Sequence, residues 1–405
     1  MTSSTGHPLR VLFLYPYGLG SVASFVRPAN IIKRLLGAGM KVTLATVSHR
    51  SEADSGINLS VREFPYLRQV PQVRLRSERG ALLANTLTIN RLLVSHDIVH
   101  FQKCHPTISI PAVLASVLKQ KPVHYDWDDN ETGILRRVAA EGRANRTQIC
   151  TFSILERRLV KLVDTISVAS SRLRAQAIEW GAREDYLFDA PVGADLSLFS
   201  PEEVDSSGQV QNKGGPTVLY QGQLEEASFA EDFIKCAVKV LSKRPDVNFL
   251  IVGGGVRLKP LKDLASSAGV PIRFTGYVSH REVASCVRAA DVCVATFEDN
   301  EVTRCKSPLK IAEYMASGKA IVASDVGDVP RMVSDCGLLV PPGDVEALAD
   351  SVLRCLGDQR LRKSLGDRAR ERAESLFNWD ATAENIMGAY EKALSDFGRP
   401  VVTAS

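Results

Sequence analysis

The chain has 405 residues, of which 45% are hydrophobic and 24% are charged, and its formal net charge is +4. That length exceeds one ordinary core and predicts two α/β domains of a soluble enzyme. No apolar run approaches the roughly 18 residues of a membrane-spanning helix. Residues 1–7 lack the order of a signal peptide, so we expect a cytoplasmic protein.

The cysteines and the distribution of charge bear on the partners. Eight cysteines lie singly, with no Cys-x-x-Cys pair, which predicts free thiols rather than disulfides or a zinc site. Residues 1–200 hold 25 Lys and Arg against 17 Asp and Glu (+8), and residues 201–405 hold 25 against 29 (−4), which together give +4. A basic first half suits a phosphate-bearing ligand or peripheral contact with an anionic membrane, and equally an ordinary solvated surface. We expect no nucleic acid partner.

Strands and helices alternate along the first half. Leu9–Tyr15 is a short apolar run that ends at a Pro and a Gly, as a buried parallel strand does. A helix is expected next, capped by Ser21 and ended by Gly37. Further strands are expected at Val42–Val47, Ile98–Gln102, Val123–Trp127 and Thr165–Ala169, with helices near 107–119, 147–163 and 171–180. This alternation predicts a parallel sheet with helices on both faces.

The same rhythm restarts after a break. Residues 200–216 are rich in Ser, Gly and charge, which predicts a linker. Strands are then expected at Val218–Gln221, Asn248–Val252, Ile272–Thr275, Val292–Thr296 and Ala320–Ala323. The restart predicts two doubly wound, Rossmann-like domains, residues 1–199 and 217–378. Because ligands sit at the carboxyl ends of such strands, we expect the domains to face each other across a cleft.

The sharpest local signal is Lys306–Gly318, with the sequence KSPLKIAEYMASG. Ser307 is a favoured helix N-cap, and Pro308 suits the first helical position. A strand precedes this helix, so its N-terminus is expected at the carboxyl edge of the second sheet. There the amides of Leu309 and Lys310, with the helix dipole, form a site for a diphosphate. As a capped helix alone, the segment would need no ligand.

The blocks around this helix resemble the donor domain of the family-4 retaining glycosyltransferases of the GT-B fold. The resemblance runs from Thr217 to about Leu356 through VLYQGQL, FLIVGGG, RFTGYVSHREVASCVRAADVCV and the stretch that begins SPLKIAEYMASG. The order and spacing of these blocks are more specific than any one motif. The first half matches more loosely, through DIVHFQK, ERRLVKLVDTISVAS and APVGADLSLFSP. The resemblance implies a metal-independent enzyme without a cofactor, whose co-substrate is a UDP- or GDP-linked sugar.

Several residues carry over from the family's pattern. Glu313 matches the second glutamate of the E-x7-E motif, which holds the nucleotide ribose. The loop whose backbone contacts the base is matched by Gly276, Tyr277 and Val278. Gly18 and Gly20 match the glycine loop that approaches the donor, although a plain turn would look the same. The Gly253–Gly255 turn is interpreted as needed for tight turning rather than for ligand contact.

Two departures from the pattern bear on catalysis. The first glutamate of E-x7-E falls on Cys305, which cannot replace the sugar contacts of a carboxylate. The arginine and lysine of the family's G-R-L-x-x-x-K loop, which neutralise the leaving diphosphate, fall near Gln223 and at Ala227 or Ser228. Gln223 stays a candidate donor contact, but it carries no charge.

The missing positive charge is expected from other residues. The candidates lie around the start of the capped helix and are Lys306, Lys310 and Arg304. Lys306 is favoured because it precedes the cap and can turn inward, whereas Lys310 can point to solvent. The family's His-x-His element appears here as HFQK, which makes Gln102 and Lys103 candidates for contact with a ligand, or else plain strand-end residues.

Four carboxylates lie within six residues after the strand Val123–Trp127, at Asp126, Asp128, Asp129 and Glu131. Carboxylates this close repel one another, so something compensates them. Binding of the acceptor, or a supporting network behind it, ranks first, a helix N-cap cluster second and a metal last. His124 beside them is expected to be packed rather than catalytic.

The implied reaction moves a sugar from a nucleoside diphosphate to a small-molecule or saccharide acceptor with retained anomeric configuration. A sugar-nucleotide 2-epimerase of the same fold and a non-catalytic GT-B scaffold stay open as alternatives. The resemblance also implies that a terminal helix, residues 379–397, packs back on the first domain, with Asn378 or Asp380 as its cap.

Overall fold

The computed structural model describes residues 7–18, 22–47, 63–77, 80–202, 214–225 and 229–397. These fall into two compact units, the first formed by the chain up to Pro191 together with the part from Thr382 onward, and the second by Val192–Ala381. Four of the expectations above concern residues outside the described ranges. They are Gly20, the Ser21 cap, Ala227 with Ser228, and residues 203–213 of the expected linker.

The first unit is built on a parallel sheet. Its strands in the described residues are β1 (Arg10–Tyr15), β2 (Lys41–Val47), β3 (Gln72–Leu75), β4 (Ile98–Gln102), β5 (Val123–Trp127), β6 (Thr165–Val168) and β7 (Leu187–Asp189). They lie in the order β3-β2-β1-β4-β5-β6-β7. Strands β4 and β5 are buried along their whole length, as expected of strands covered on both faces.

The helices of the first unit begin at side chains that suit helix caps. They are α1 (Val22–Gly37), α2 (Ala81–Leu92), α3 (Pro106–Lys119), α4 (Glu131–Ala139), α5 (Arg146–Leu162) and α6 (Ser171–Glu179). Asn130, Asn145 and Ser170 each accept a hydrogen bond from an amide in the first turn of α4, α5 and α6. Such caps satisfy amides that would otherwise have no partner.

The second unit repeats this plan. Its strands are β8 (Thr217–Gln221), β9 (Asn248–Val252), β10 (Ile272–Phe274), β11 (Val292–Ala295), β12 (Ala320–Ser324) and β13 (Gly337–Val340), in the order β10-β9-β8-β11-β12-β13. Its helices are α7 (Ala230–Lys243), α8 (Leu258–Ser267), α9 (His280–Ala289), α10 (Glu301–Arg304), α11 (Leu309–Ala316), α12 (Val329–Val333), α13 (Val345–Gly357) and α14 (Gln359–Ser375). All its strand pairs are parallel.

The last helix, α15 (Trp379–Asp396), begins in the second unit and continues in the first. Asn378 caps it, since its side-chain oxygen accepts a hydrogen bond from the amide of Ala381 at 2.9 Å. Inside the first unit, the hydroxyl of Tyr390 lies 2.6 Å from Nδ1 of the buried His100.

The chain enters the second unit earlier than the sequence predicted. The division falls after Pro191, not at residue 199. The physical reason is apolar burial, because Ala194 and Phe199 are almost fully buried in the core of the second unit, next to Ile311 and Met315. Strands β3, β7 and β13 and, in the first unit, helices α2 and α4 were not predicted from the sequence, and in the second unit α11 was the one helix predicted individually before the terminal helix.

Close packing between helices gives a test of this core. A Cβ atom at Gly366, inside α14, would lie 2.2 Å from the carbonyl oxygen of Gly318. Alanine inside a helix normally stabilises by about 0.5–1 kcal/mol relative to glycine. At this position, overpacking is expected to reverse the sign, so Gly366→Ala should lower the free energy of unfolding by about 1–3 kcal/mol.

Urea unfolding of the purified chain measures this. The matched control is Gly357→Ala in α13 of the same unit, where the new Cβ would meet nothing within 4 Å. Equal stability of the two variants would contradict the packing described here.

Candidate functional site

In the second sheet the strand order changes direction between the neighbouring strands β8 and β11. From β8 the chain adds β9 and β10 on one side, and it then adds β11, β12 and β13 on the other. In doubly wound sheets, ligands bind outside the carboxyl ends of the strands at such a reversal. Here those ends are Gln221 and Ala295. The segments that follow them, together with the start of α11, form the candidate site of the second unit.

Helix α11 begins at Leu309, with Pro308 in the N-cap position and no side-chain cap. The expectation that Ser307 is the cap is therefore wrong. Ser307 is turned away from the helix, because its hydroxyl accepts a hydrogen bond from the amide of Val192 at 3.2 Å. Leu309 and Lys310 hold the first two helical positions, so their amides lie at the helix start.

The ammonium group of Lys310 lies at the reversal of the sheet. Its Nζ is 4.1 Å from the ring centroid of Tyr220 in β8 and 5.5 Å from that of Phe297, just after β11. A Cβ atom at Gly222 would lie 3.0 Å from Nζ, so glycine at this position leaves room for the lysine. Burial, with the charge of Lys306 added, lowers the pKa of Lys310 to about 7. In the part of the chain that the structure describes, no carboxylate pairs with this amine.

The other expected cations lie elsewhere. Arg304 is exposed and its guanidinium donates two hydrogen bonds to Asp299, at 2.6 and 2.8 Å. Lys306 is half-buried next to the helix start. Gln223 is exposed, and Cys305 is fully buried in the cap of α10, where it presents no carboxylate. Lys310 thus faces the sheet edge rather than solvent, which reverses the preference for Lys306.

The carboxylate of Glu313 is buried one helical turn beyond Lys310, with 2% of the residue exposed. His280 Nε2 lies 2.7 Å from Glu313 Oε1. The side-chain amide nitrogen of Gln221, Nε2, donates a hydrogen bond to Glu313 Oε2. The other amide atom, Gln221 Oε1, is buried and accepts no hydrogen bond from the described residues. Sequence reasoning missed His280 and Gln221 as partners of Glu313. A histidine directly after a Ser cap was the only available signal.

The glycine turns near this site are held by close backbone packing. A Cβ at Gly253 would lie 2.0 Å from the carbonyl oxygen of Gly222, and one at Gly255 would lie 2.4 Å from that of Leu224. Tyr277 lies against this turn with 70% of its surface exposed, between Gly276 and Val278. The second unit therefore offers an exposed aromatic ring, a buried carboxylate and a half-buried lysine near one sheet edge.

In the first unit, Asp126 at the end of β5 forms a buried ion pair. Arg27 donates to its two oxygens at 2.8 and 2.7 Å, and Ser167 donates at 2.6 Å. Burial alone would raise the pKa of Asp126, but the guanidinium holds that pKa well below its usual range. His124 is buried between two hydroxyls, those of Thr165 and Ser167, and is packed as expected.

The remaining carboxylates surround Lys103, which follows β4 at the reversal of the first sheet. Lys103 Nζ lies 3.1 Å from Asp128 Oδ1, 3.0 Å from Asp129 Oδ2 and 2.8 Å from Glu131 Oε1. The three carboxylates are close enough to hold a cation, and the ammonium occupies that position. Burial, opposed by Lys103, raises the pKa of Glu131 to about 7. The ammonium group of Lys103 therefore forms ion pairs with carboxylates of the same unit.

Sequence reasoning missed the supports of this cluster. Arg27 comes from α1, and Glu156 of α5 accepts hydrogen bonds from the amides of Glu131 and Thr132 at the start of α4. Gln102 donates to Asp128 at 2.6 Å. These contacts join residues far apart in the sequence, which local spacing does not reveal.

Comparison with known proteins agrees with this architecture. Residues 215–358 match the family described as Glycosyl transferases group 1. A phosphatidyl-myo-inositol mannosyltransferase of Mycolicibacterium smegmatis is 29% identical over 261 residues, which are 63% of this chain and 64% of that protein. An MMP alpha-(1->4)-mannosyltransferase of Mycolicibacterium hassiacum is 26% identical over 60% of this chain and 58% of that protein. The chain thus spans less than two thirds of the length of these two curated relatives.

Solved structures share the whole fold at low sequence identity. Sucrose-phosphate synthase from Thermosynechococcus elongatus has a TM-score of 0.71 and 19% identity, covering 96% of this chain and 99% of that one. Anabaena Alr3699/HepE in complex with UDP and glucose has a TM-score of 0.70 and 16% identity, covering 95% and 99%. At such identities the likeness concerns the fold, which is GT-B.

The Lys103 cluster makes a testable prediction about stability. Lys103→Met leaves three carboxylates together without their cation, and breaking a buried ion pair costs about 3–5 kcal/mol. Burial already raises the pKa values of Asp128 and Glu131, and without the ammonium they rise further above their unfolded values. Stability from such groups is present at low pH and lost as the pH rises. The deficit of the variant, measured by urea unfolding, should therefore be larger at pH of about 8 than at about 5.

The control for this experiment is Lys41→Met, at an exposed lysine in the same unit. It should change the free energy of unfolding little at either pH. A Lys103→Met variant with wild-type stability at high pH would contradict the assigned ion network.

Proposed function

We propose that this chain is a glycosyltransferase of the GT-B fold, which transfers a hexosyl group from a nucleoside diphosphate sugar to a small-molecule or saccharide acceptor with retention of configuration. The observation that carries this proposal is the half-buried Lys310, whose amine lies over two aromatic rings at the sheet reversal and has no carboxylate within ion-pair distance among the described residues. With a pKa of about 7 this amine is only partly charged in the free protein, and an anion beside it would favour the charged form. A diphosphate at the start of α11 supplies that anion.

The diphosphate is proposed to lie between Lys310 and the first amides of α11. Departure of the nucleoside diphosphate leaves negative charge on the phosphate oxygens, and donors fixed in advance lower that barrier. Lys306, half-buried beside the helix start, adds a second positive charge. This assignment takes over the role of the two cations that the family has in the loop around Gln223.

The nucleoside is proposed to extend from the diphosphate toward Glu313. A carboxylate one turn along the helix suits bidentate hydrogen bonds to the ribose hydroxyls. The buried Gln221 Oε1 is available as a further acceptor. His280 holds the carboxylate in place from the other side. The exposed ring of Tyr277, in the loop Gly276–Val278, is proposed to lie against the base.

Retention of the anomeric configuration is part of this proposal. It rests on the resemblance to the family-4 enzymes and on the diphosphate site, since the scheme needs stabilisation of the leaving group rather than a side-chain nucleophile.

We place the reaction in the cytoplasm, because the eight cysteines form no disulfide and seven of them are buried, as in proteins of reducing compartments.

Donor binding and product analysis test the function. UDP, GDP and their sugars should raise the melting temperature, because a ligand that binds only the folded state stabilises it. Incubation with the stabilising donor and a mixture of acceptors, followed by NMR of the product, should show the anomeric configuration of the donor. Binding with only epimerised donor as product would identify a 2-epimerase. No binding of any donor would identify a scaffold.

Glu313 gives the first mutational prediction. A hydrogen bond to a charged group contributes about 1.5–3 kcal/mol, so Glu313→Ala should weaken donor binding between about tenfold and over a hundredfold. The measurement is the dissociation constant by calorimetry. Glu346→Ala, which removes an exposed carboxylate of the same unit, is the matched control. Unchanged donor affinity in Glu313→Ala would remove the ribose assignment.

Lys310 gives a prediction about pH. Its pKa is about 7 in the free protein, and a bound diphosphate raises that pKa because it favours the charged amine. Binding therefore takes up a proton above neutral pH, and the donor affinity should fall by up to about tenfold per pH unit as the pH rises past about 7. A nucleotide sugar is the right ligand, since its bridged diphosphate does not titrate in this range.

The matched variant for this test is Lys310→Arg, because arginine stays charged at every pH used. Its donor affinity should be nearly independent of pH, whereas Lys310→Ala should lose about a hundredfold or more in kcat, on the scale of a lost oxyanion-hole donor. Arg304→Ala, at an exposed and already paired cation, should keep full turnover. An identical pH profile for wild type and Lys310→Arg would exclude Lys310 as the diphosphate cation.

A further inference from the structure

Helices α2 and α3 of the first unit lie side by side and expose large apolar side chains. The amide of Asn85 in α2 donates to the carbonyl oxygen of Thr107 in α3 at 2.9 Å, and the 3-10 turn Leu93–Ser95 after α2 also packs against α3. We name their outer surface the α2–α3 face. Its exposed side chains are Leu82, Leu83, Leu87, Val94, Leu114, Val117 and Leu118.

This apolar exposure is concentrated. Among the described residues, fifteen large hydrophobic side chains are exposed, and seven belong to the α2–α3 face. Leu83 and Leu118 are 69% and 66% exposed, so they are not edges of the core. The described residues of the second unit include four exposed large hydrophobic side chains, at Val238, Val256, Tyr277 and Leu376. A contiguous apolar surface of this kind marks a site of interaction.

The charges carried by the two helical segments themselves have one sign. Segments 81–96 and 106–121 contain no Asp or Glu, and they contribute Arg91, Lys119 and Lys121. Helix α5 packs against α3, and its one acidic residue, Glu156, is buried. Its charged residues on the surface are cations, at Arg146, Arg157, Arg158 and Lys161, beside the exposed Ile154 and Leu162.

We propose that the α2–α3 face, with the basic surface of α5, docks on an anionic membrane. Apolar side chains enter the region between headgroups and acyl chains, while lysine and arginine contact the lipid phosphates. Charge decides between this partner and a second copy of the chain. In a symmetric dimer each face would meet the same face, and cations would then oppose cations without carboxylates to compensate them.

The docking is peripheral. None of the helices within the described residues is both long and apolar enough to cross a bilayer. The proposal gives a location to the contact that the basic first half suggests. It does not depend on which sugar is transferred, because it concerns a surface of the first unit alone.

Vesicle flotation with the full chain tests this proposal. The chain should float with vesicles of equal parts phosphatidylcholine and phosphatidylglycerol and should not float with phosphatidylcholine alone. The triple variant Leu83→Ser, Val117→Ser, Leu118→Ser should lose most of this binding. The matched control is Val238→Ser, Val256→Ser, Leu376→Ser, which removes three exposed apolar side chains from the second unit and should bind as the wild type does.

The cations are tested separately. Arg158→Gln and Lys161→Gln should each lower the partition coefficient on anionic vesicles by roughly fivefold, as expected for one basic residue near the surface. Circular dichroism and melting temperature check the fold of every variant. Equal flotation of the two triple variants would overturn the proposal. Wild type that stays off anionic vesicles and forms dimers, which the first triple variant abolishes, would show that the face is a self-association surface instead.

Discussion

A buried charge needs a compensating charge, and this constraint separates the two candidate sites. Lys103 and Lys310 occupy comparable places, each at the point where a parallel sheet reverses its order. Lys103 is surrounded by three carboxylates of its own unit. Lys310 lies over Tyr220 and Phe297, and within the described ranges no carboxylate pairs with it. The first amine is compensated within its own unit, whereas the second has a lowered pKa instead, and the proposed function completes it with an anionic ligand.

Under the proposed function, this difference accounts for a diphosphate site that lacks the loop cations of the family-4 pattern. The loop around Gln223 carries no cation, and Cys305 replaces a carboxylate. Lysine at position 310 is placed by α11, whose start lies against the sheet edge, and glycine at 222 leaves room for its amine. Positive charge is thus supplied from a helix rather than from a loop. The cost is a lysine that is only partly charged near neutral pH.

The sequence predicted the strands well because buried parallel strands are continuous apolar runs. The bounds of β4, β5 and β9 were predicted to the residue, and those of β8 and β11 to within one residue at one end. Strands β3 (QVRL) and β13 (GLLV) were missed because they are edge strands of their sheets and are only partly buried, so they differ from the fully buried runs on which the prediction relied. The Ser307 cap was wrong because the local rule for caps ignores a tertiary partner, here the amide of Val192.

The site could be predicted only in part, for the same reason. Glu313 and Lys310 lie on one helix, so their spacing is visible in the sequence. Their neighbours Gln221 and His280 are 92 and 33 residues away from Glu313, and only the fold brings them together. Arg27 likewise reaches Asp126 over 99 residues. Motif reasoning identifies residues that share a segment, whereas hydrogen-bond partners from other segments require the tertiary structure.

The most direct test of the central claim, that a nucleoside diphosphate completes the site at Lys310, is hydrogen–deuterium exchange with and without UDP-glucose and GDP-mannose. One of these donors should protect the amides of residues 221–224 and 306–313, which include Leu309 and Lys310 at the start of α11. The amides of residues 101–104, next to the already compensated Lys103, should change far less. Protection that spares the start of α11, or none with either donor, would contradict this account.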